Sequence, residues 1–243
     1  QTITITNPTA SSKWRGTQTI TWSVNNKTEE FRGITPPGAP GYYRIFYAPN
    51  GTTIPGFGEE PSSPWNQING DIQDDGEETS SYSNNWDTTE VLVDGNYIIL
   101  IRAYNPDGEC VEDESITFLV DNTEPSISIT YDPATPDENN NWYITAPEVT
   151  ITITDDDAGV RKKPDKFIEY QIDNGSIFSC FSDDSYTETS ITFTATEGST
   201  LKVRAYDDAK DKDSTANEGY EEDTDYKVDL TPPSITINVD YGA

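Results

Sequence analysis

The sequence predicts an all-β chain of two tandem antiparallel β-sandwiches followed by a single C-terminal strand. Long Ile/Val/Thr alternations run through it, and no stretch has the period of an amphipathic helix. A linker also occurs twice, as VDNTEP at 120–125 and VDLTPP at 228–233, each time between two alternating stretches. We therefore expect one domain at 1–121, a second at 122–230, and at 231–243 the first strand of a further repeat or a donor strand.

Domain 1 is predicted from short alternating runs separated by Asn, Gly and Pro. The expected strands are 1–6, 17–24, 42–47, 88–93, 96–104 and 115–120. A loop is expected at 25–40. Residues 49–85 are the least regular stretch, which predicts either a functional loop or a small embedded hairpin.

Domain 2 repeats this plan. The expected strands are 126–130, 148–154, 167–172, 176–181, 190–196, 201–206 and 226–229. The segment at 207–213, DDAKDKD, is predicted to be an acidic loop before the last strand. Short strands with turn signals at this spacing favour a sandwich of about seven strands per unit.

Several landmarks recur in the same order in both halves. Trp14 and Trp142 each precede the second strand, and the Arg-Ala-Tyr at 102–104 returns at 204–206. Shared landmarks of this kind indicate duplicated units.

These motifs carry a resemblance to a known family. NWDTTEVLVDGNYIILIRAYNPDG with FLVDNTEP resembles the Ig-like or fibronectin-III-like repeats of large prokaryotic surface and secreted proteins. NWYITAPEVTITITDDDAG is similar to the bacterial Ig-like repeats of S-layer proteins, adhesins and glycan-active enzymes. The resemblance implies Ig-like sandwiches serving as spacers, assembly modules or binding modules. Tyr97 stands where such folds place a tyrosine corner, which predicts that its hydroxyl bonds back to the preceding turn.

The net charge of −29, from 44 acidic against 15 basic residues, bears on the partners. Nucleic acids and anionic lipids need basic patches, so we expect neither partner, and no apolar run is long enough for direct membrane insertion. The acidic balance favours cation binding, a saline or calcium-rich setting, or simple solubility.

The sequence does not predict an enzyme. With no His in the chain, Ser-His-Asp sites, Cys-His sites and His-ligated zinc are excluded. Cys110 and Cys180 fall in different predicted domains, so no bridge within a domain is expected. They are expected to link neighbouring molecules, to stay as unpaired thiols, or to make an incidental interdomain contact.

Calcium is the predicted cofactor, because it takes six to eight carboxylate and carbonyl oxygens. In a sandwich of this strand order, the loop after the second strand and the loop before the last strand of domain 2 lie at one pole, beside the linker and a turn of domain 1. The acids and amide expected to meet at this junction are Asp94, Asp121, Asn122, Asp155, Asp156, Asp157, Asp207, Asp208 and Asp211. The alternative is a well-hydrated acidic surface.

Two further sets of residues are candidate contact sites. Trp22 is expected in the core, and Trp14, Trp86 and Trp142 over the ends of the sandwiches, which leaves Phe57, Trp65 and Tyr82 for a glycan or protein ligand. Asn26, Asn50 and Asn174 each begin an N-glycosylation triplet in a predicted turn or loop.

The C-terminal tail at 231–243 has no domain behind it. It is either a stub of a longer array or a strand that pairs with a neighbouring molecule, with Ile235, Ile237 and Val239 on one face. We therefore expect a structural extracellular or cell-surface protein, a subunit or segment of a surface layer, filament or stalk, that self-associates or contacts neighbouring repeats. The alternative is an adhesin or a carbohydrate-binding accessory module of a secreted protein.

Overall fold

A computed structural model describes residues 1–34, 38–137, 141–161, 165–181, 186–234 and 236. The described residues are strands, turns and one short 3₁₀ turn at Thr88–Glu90, which confirms the all-β prediction. They form two compact units. Unit 1 comprises Gln1–Glu124 with Asp156–Gly159 and Asp207–Asn217, and unit 2 comprises Pro125–Asp155, Val160–Tyr206 and Glu218–Ala243.

Unit 1 is an antiparallel sandwich of eight strands. They are β1 (Thr2–Asn7), β2 (Lys13–Trp14), β3 (Thr17–Asn25), β4 (Tyr42–Pro49), β5 (Asn66–Gln73), β6 (Ser80–Asp87), β7 (Gly95–Tyr104) and β8 (Cys110–Val120). One sheet has the order β1-β3-β6 and the other β2-β8-β7-β4-β5, with only the short β2 running parallel to its neighbour. This two-sheet order is that of an Ig-like sandwich.

The core of unit 1 follows from strict alternation along the strands. In β3, every second residue from Gln18 to Val24 is buried, including Trp22 at 1% exposure, as expected for it. Trp22 packs with Tyr43 of the opposite sheet and with Tyr82, its cross-strand neighbour on β6. Trp14 and Trp86 are also buried, each against Phe118.

The strand β7 departs from alternation, since its residues from Tyr97 to Tyr104 are all buried. The reason is a second small cluster on its outer face, formed by Phe46, Ala48, Trp65, Ile98 and Leu100. Arg102, also fully buried, fixes the covering loop by donating to the carbonyls of Pro55 at 2.7 Å and Gly56 at 3.2 Å. The part of the irregular stretch at 50–64 therefore packs over this face of the sheet.

Unit 2 repeats the arrangement with seven strands. They are β9 (Ser126–Asp132), β10 (Glu148–Thr154), β11 (Ile168–Ile172), β12 (Ile177–Cys180), β13 (Glu188–Thr194), β14 (Leu201–Lys210) and β15 (Ala216–Asp223). The segment 207–217, which holds the end of β14 and the start of β15, belongs to unit 1. The sheets are β13-β10-β9 and β12-β11-β14-β15. Val149, Ile151 and Ile153 of β10 are fully buried in its core.

The tyrosine corner is confirmed. The hydroxyl of Tyr97 donates to the carbonyl of Val93 at 2.6 Å, across the turn that precedes β7. This bond fixes the turn that carries Asp94.

Two strand predictions are wrong, and two stretches that were predicted as irregular or as a loop contain strands. Thr88–Val93 begins with the 3₁₀ turn, capped by Asp87, and β6 lies before it. β5 and β6 both lie within the supposedly irregular stretch. Residues 207–210 continue β14, and the strand after them is β15, whereas Tyr226–Asp229 makes only isolated bridges at Val228.

For the C-terminal tail, the described residues Thr231–Ser234 have no strand. Ile235, Ile237 and Val239, the residues expected to take part in strand exchange, lie outside the described residues. Their predicted role stays a prediction.

Candidate metal centre

Three carboxylates from separate segments of unit 1 meet at one place. They belong to Asp94, in the turn before β7, to Asp121, directly after β8, and to Asp157, in the segment 156–159. One oxygen from each lies within 4.8 Å of the others. Their exposure increases from Asp121, which is buried, to Asp157, which is exposed, so the cluster opens toward solvent.

Asp121 is the buried member of this group, at 1% exposure. Its backbone N–H donates to the carbonyl of Trp14 at 2.9 Å, which continues the pairing of β2 with β8 past the strand end. Its carboxylate accepts hydrogen bonds from the backbone N–H groups of Thr123 at 3.1 Å and Ala158 at 2.9 Å. It therefore holds the linker and the segment 156–159 in unit 1.

Asn122 connects the linker to Gly16 and Thr88 through its side-chain amide. Its side-chain oxygen accepts from the Gly16 N–H and the Thr88 hydroxyl, both at 2.9 Å, and its side-chain nitrogen donates to the Thr88 carbonyl at 3.1 Å. Both lone pairs of the amide oxygen are thus used, so the structure does not present Asn122 as the expected metal ligand. The Asn122 nitrogen and the Thr123 hydroxyl also donate to Asp94, which sets the position of that carboxylate.

The electrostatic cost of the cluster appears in the pKa of Asp157. Partial burial raises that pKa, and the negative charges of Asp94 and Asp156 raise it further. The pKa of Tyr97 is raised by burial and by Asp94. Negative charge at Asp157 is therefore unfavourable unless a nearby cation balances it.

A fourth carboxylate, that of Asp207 on β14, also lies close to Asp121. One of its oxygens is within 4.8 Å of an oxygen of Asp121, and the Asp207 side chain is fully buried. It accepts from the backbone N–H groups of Ala209 and Asn217, each at 3.2 Å. The side-chain nitrogen of Asn217 donates to Asp207 and to the Asp121 carbonyl, the latter at 3.1 Å. Among the described residues, the side-chain oxygen of Asn217 has no hydrogen-bond partner.

Sequence reasoning missed Asn217. Its only signal is a position shortly after the acidic run, where the sequence predicted a loop. The structure starts β15 there, which turns the Asn217 side chain toward Asp207.

The remaining expected ligands do not join the group of Asp94, Asp121 and Asp157. Asp208 pairs with Lys13 at 3.1 Å, and Asp211 accepts from the backbone N–H groups of Asp213 and Thr215 in its own turn. Asp156 is exposed. In unit 2, Asp155 is buried and its backbone N–H donates to the Thr187 carbonyl at 2.8 Å.

The three aromatic residues proposed for a ligand do not form a common surface. Trp65 is 7% exposed and its indole N–H donates to the Thr53 carbonyl, so the expectation of an open ring face is wrong. The Tyr82 hydroxyl donates to Asp74 at 2.6 Å. Phe57, 63% exposed, is the one member that faces solvent.

The glycosylation and cysteine residues lie at or near the surface. Asn26, Asn50 and Asn174 are all exposed, and their occupancy stays a prediction. Cys110 in unit 1 and Cys180 in unit 2 are free and half-buried, and burial raises the pKa of each thiol. No helix among the described residues is long and apolar enough to cross a membrane.

No family model and no curated protein matches this chain. It is similar to several solved structures of repeated β-modules. The fibronectin(III)-like modules of CbhA from Clostridium thermocellum are 16% identical, with 97% of this chain and 100% of that chain covered and a TM-score of 0.31.

Two bacterial adhesin structures are also similar. A tetra-tandem repeat in the extending region of a large adhesion protein is 16% identical (94% of this chain, 49% of that one, TM-score 0.27). A 1.5-MDa bacterial ice-binding adhesin is 12% identical (94% and 65%, TM-score 0.33). This chain thus spans about half of the first and just under two thirds of the second. At this identity and TM-score, these likenesses carry no inference about the family, activity or partners of this chain.

Proposed function

We propose that this chain is a structural segment of an extracellular surface protein, forming part of a surface layer, filament or stalk, and that calcium bound by Asp94, Asp121 and Asp157 stiffens it. The observation that carries the calcium proposal is the meeting of three carboxylates from three separate segments of unit 1. A cation there would fasten the turn before β7, the linker after β8 and the segment 156–159 to one another.

The chemistry of the ligands favours calcium over other metals. Calcium takes hard oxygen ligands in flexible geometry, whereas zinc and copper favour the nitrogen and sulfur ligands that are absent from this cluster. Extracellular calcium modules bind with dissociation constants of about 10⁻⁴ to 10⁻³ M, which a partly open three-carboxylate site would suit. The raised pKa of Asp157 supports the same conclusion, because a cation would relieve the repulsion.

Calorimetric titration of the full chain with Ca²⁺ after EDTA treatment tests this site. Wild type is expected to bind Ca²⁺ with Mg²⁺ a weaker competitor, and Asp157→Asn is expected to weaken binding by at least about tenfold. The matched control is Asp225→Asn, since that side chain is 84% exposed and lies outside the cluster. Equal Ca²⁺ affinity in wild type and Asp157→Asn would contradict the proposed Asp94–Asp121–Asp157 site.

Assembly through the C-terminal tail is the second part of the proposal. Electron microscopy of the full chain is expected to show ordered polymers that EDTA disperses and that a chain ending at Asp229 does not form. The adhesin or carbohydrate-binding alternative loses its main support with the burial of Trp65.

A further inference from the structure

We propose that the outer face of the unit 2 sheet β12-β11-β14-β15 binds an acidic peptide segment of a partner protein. Binding at this face is independent of calcium and of the C-terminal tail. The corresponding face of unit 1 is covered by a segment of the chain itself, and that contact is the precedent.

The outer face of unit 1 shows how a sheet of this kind holds a peptide segment. The segment at 50–64 connects β4 to β5 and packs over the face. The buried guanidinium of Arg102 donates to the backbone carbonyls of Pro55 at 2.7 Å and Gly56 at 3.2 Å. The Arg of the Arg-Ala-Tyr motif therefore binds a Pro- and Gly-containing backbone through its carbonyl oxygens.

In unit 2 the same face is exposed, because β11 and β12 are joined by the short turn at 173–176. Arg204, which the motif aligns with Arg102, has a side chain that is 54% exposed. Its guanidinium lies 5.7 Å from the ring centroid of Tyr220, which is 49% exposed. These side chains line a groove of about 350 Å³, all of it in unit 2, with Ile177 at its edge.

The side chains that meet the ligand differ between the two faces. In unit 1, Phe46 and Leu100 are cross-strand partners in the apolar cluster beneath the segment 50–64. Leu100 and Lys202 each stand two residues before the Arg of the motif, and the cross-strand partner of Lys202 is Gln171. Lys202 has no ion-pair partner among the described residues. A ligand of this face must therefore supply negative charge in place of apolar surface.

The acids beside the groove are already paired. Glu169 accepts a hydrogen bond from the ammonium of Lys166, and Glu218 pairs with Arg204 at 3.1 Å. Lys202 thus leaves an unbalanced positive charge on this face of a chain whose net charge is −29. The guanidinium of Arg204 has more N–H donors than Glu218 uses. A peptide whose carboxylate meets Lys202 and whose carbonyls meet Arg204 fits both groups.

Two-dimensional NMR of the isotope-labelled full chain with two synthetic peptides tests this surface. The first peptide has the chain's own sequence at 54–62, IPGFGEEPS, and the second carries Glu59→Gln and Glu60→Gln. The acidic peptide is expected to shift the amide signals of Lys202 and Tyr220, and the Gln peptide to bind at least about tenfold more weakly. Signals of unit 1 should stay unchanged, because its own segment occupies the corresponding face.

Variants of the full chain complete the test. Lys202→Gln is expected to weaken binding of the acidic peptide about tenfold or more. Lys227→Gln is the matched control, since Lys227 belongs to unit 2 but does not line the groove, and it should bind as wild type does. No shift with the acidic peptide, or equal affinity for the two peptides, overturns the proposal and leaves a solvated polar face. Shifts of the same signals by oligogalacturonate but not by the peptide would also overturn it, because the ligand would then be an acidic glycan.

Discussion

The ammonium of Lys27 lies 2.6 Å from the carboxylate of Asp74, and both side chains are completely buried. Three further acceptors surround the same nitrogen, namely Asp75 at 2.9 Å, Ser80 at 3.1 Å and Tyr82 at 2.9 Å. Burial alone would lower the pKa of Lys27, but the hydrogen bonds with Asp74, Tyr82 and Asp75 outweigh it and the pKa is raised. The Lys27 ammonium is therefore charged and satisfied, and it ties the end of β3 to the segment between β5 and β6.

Asp74→Ala is expected to reduce the free energy of unfolding of unit 1 by about 3 to 5 kcal/mol, because it leaves a buried ammonium without its nearest counter-charge. Urea denaturation measures this loss. The control, Asp213→Ala, breaks the exposed pair with Lys212 and is expected to leave the free energy of unfolding nearly unchanged, because water screens that pair. Similar losses for the two variants would contradict the burial argument.

The pH dependence of stability is expected to include a contribution from Asp75. Burial raises the pKa of Asp75. Hydrogen bonds from Ser80, Lys27, the Glu77 N–H and Tyr82 lower it by a larger amount, so the folded-state pKa lies below the usual value. A depressed pKa stabilises the fold above the unfolded-state value of about 3.9, and the contribution is lost as pH falls through the folded-state value. Wild type should exceed Asp75→Asn in stability at pH 7, with a gap that narrows below about pH 4. A stability difference between wild type and Asp75→Asn that widens in acid would contradict the lowered pKa of Asp75.

Tyr97→Phe is expected to cost about 1 kcal/mol of unfolding free energy, because it removes the 2.6 Å hydrogen bond to the Val93 carbonyl and little else. Urea unfolding of unit 1 measures it. Tyr220→Phe is the control, since the Tyr220 hydroxyl bonds Glu222 on the surface of unit 2, and this variant is expected to leave the unfolding of unit 1 unchanged. No change in Tyr97→Phe would mean that water replaces the corner bond at no cost.

Trp65→Ala is expected to destabilise unit 1 by about 3 kcal/mol or more, because it empties the cluster between the 50–64 loop and the outer face of β7. Phe57→Ala, in the same loop but exposed, should change stability by less than about 0.5 kcal/mol. Thermal and urea melts of both variants give the comparison. Equal stability with a loss of glycan binding in Trp65→Ala would instead restore the ligand-platform interpretation.

Calcium is expected to raise the melting temperature of the full chain. At a concentration about 100 times the dissociation constant, a ligand adds about 2.7 kcal/mol, which corresponds to roughly 5 to 10 °C for a protein of this size. Scanning calorimetry with CaCl₂ and with EDTA measures the shift, and Asp157→Asn should reduce it. A melt that is the same in both conditions would count against the proposed metal site.

Much of the fold was predictable because alternation is a local property. The run at 148–154 predicts the strand β10 at its observed bounds, since apolar residues at every second position bury one face. The resemblance to Ig-like repeats likewise predicted the Tyr97 corner. The prediction that Thr88–Val93 is a strand was wrong because the Asp87 cap and the 3₁₀ turn are favoured over its β-branched composition, and β5 and β6 were missed because they are rich in Asn, Ser and Gln.

For the candidate site, the sequence supplied the acids but could not choose among them. Asp94, Asp121 and Asp157 meet because a turn, a strand end and a distant segment share one place in unit 1. Asp208 and Asp211 have equally favourable sequence positions, yet they pair with Lys13 and cap a turn. Asn217 had no sequence signal beyond its position shortly after the acidic run, since its orientation follows from the start of β15.

The Arg-Ala-Tyr motif separates what the sequence determined from what the tertiary structure decided. Alternation and repetition alone placed both copies in strands, which are β7 and β14. In the first, Arg102 is fully buried because the loop at 50–64 covers it and supplies carbonyl acceptors. In the second, Arg204 is exposed beside Glu218. The strand is set by neighbouring residues, whereas the environment of each Arg depends on whether a remote segment packs over it, and that is a property of the folded chain alone.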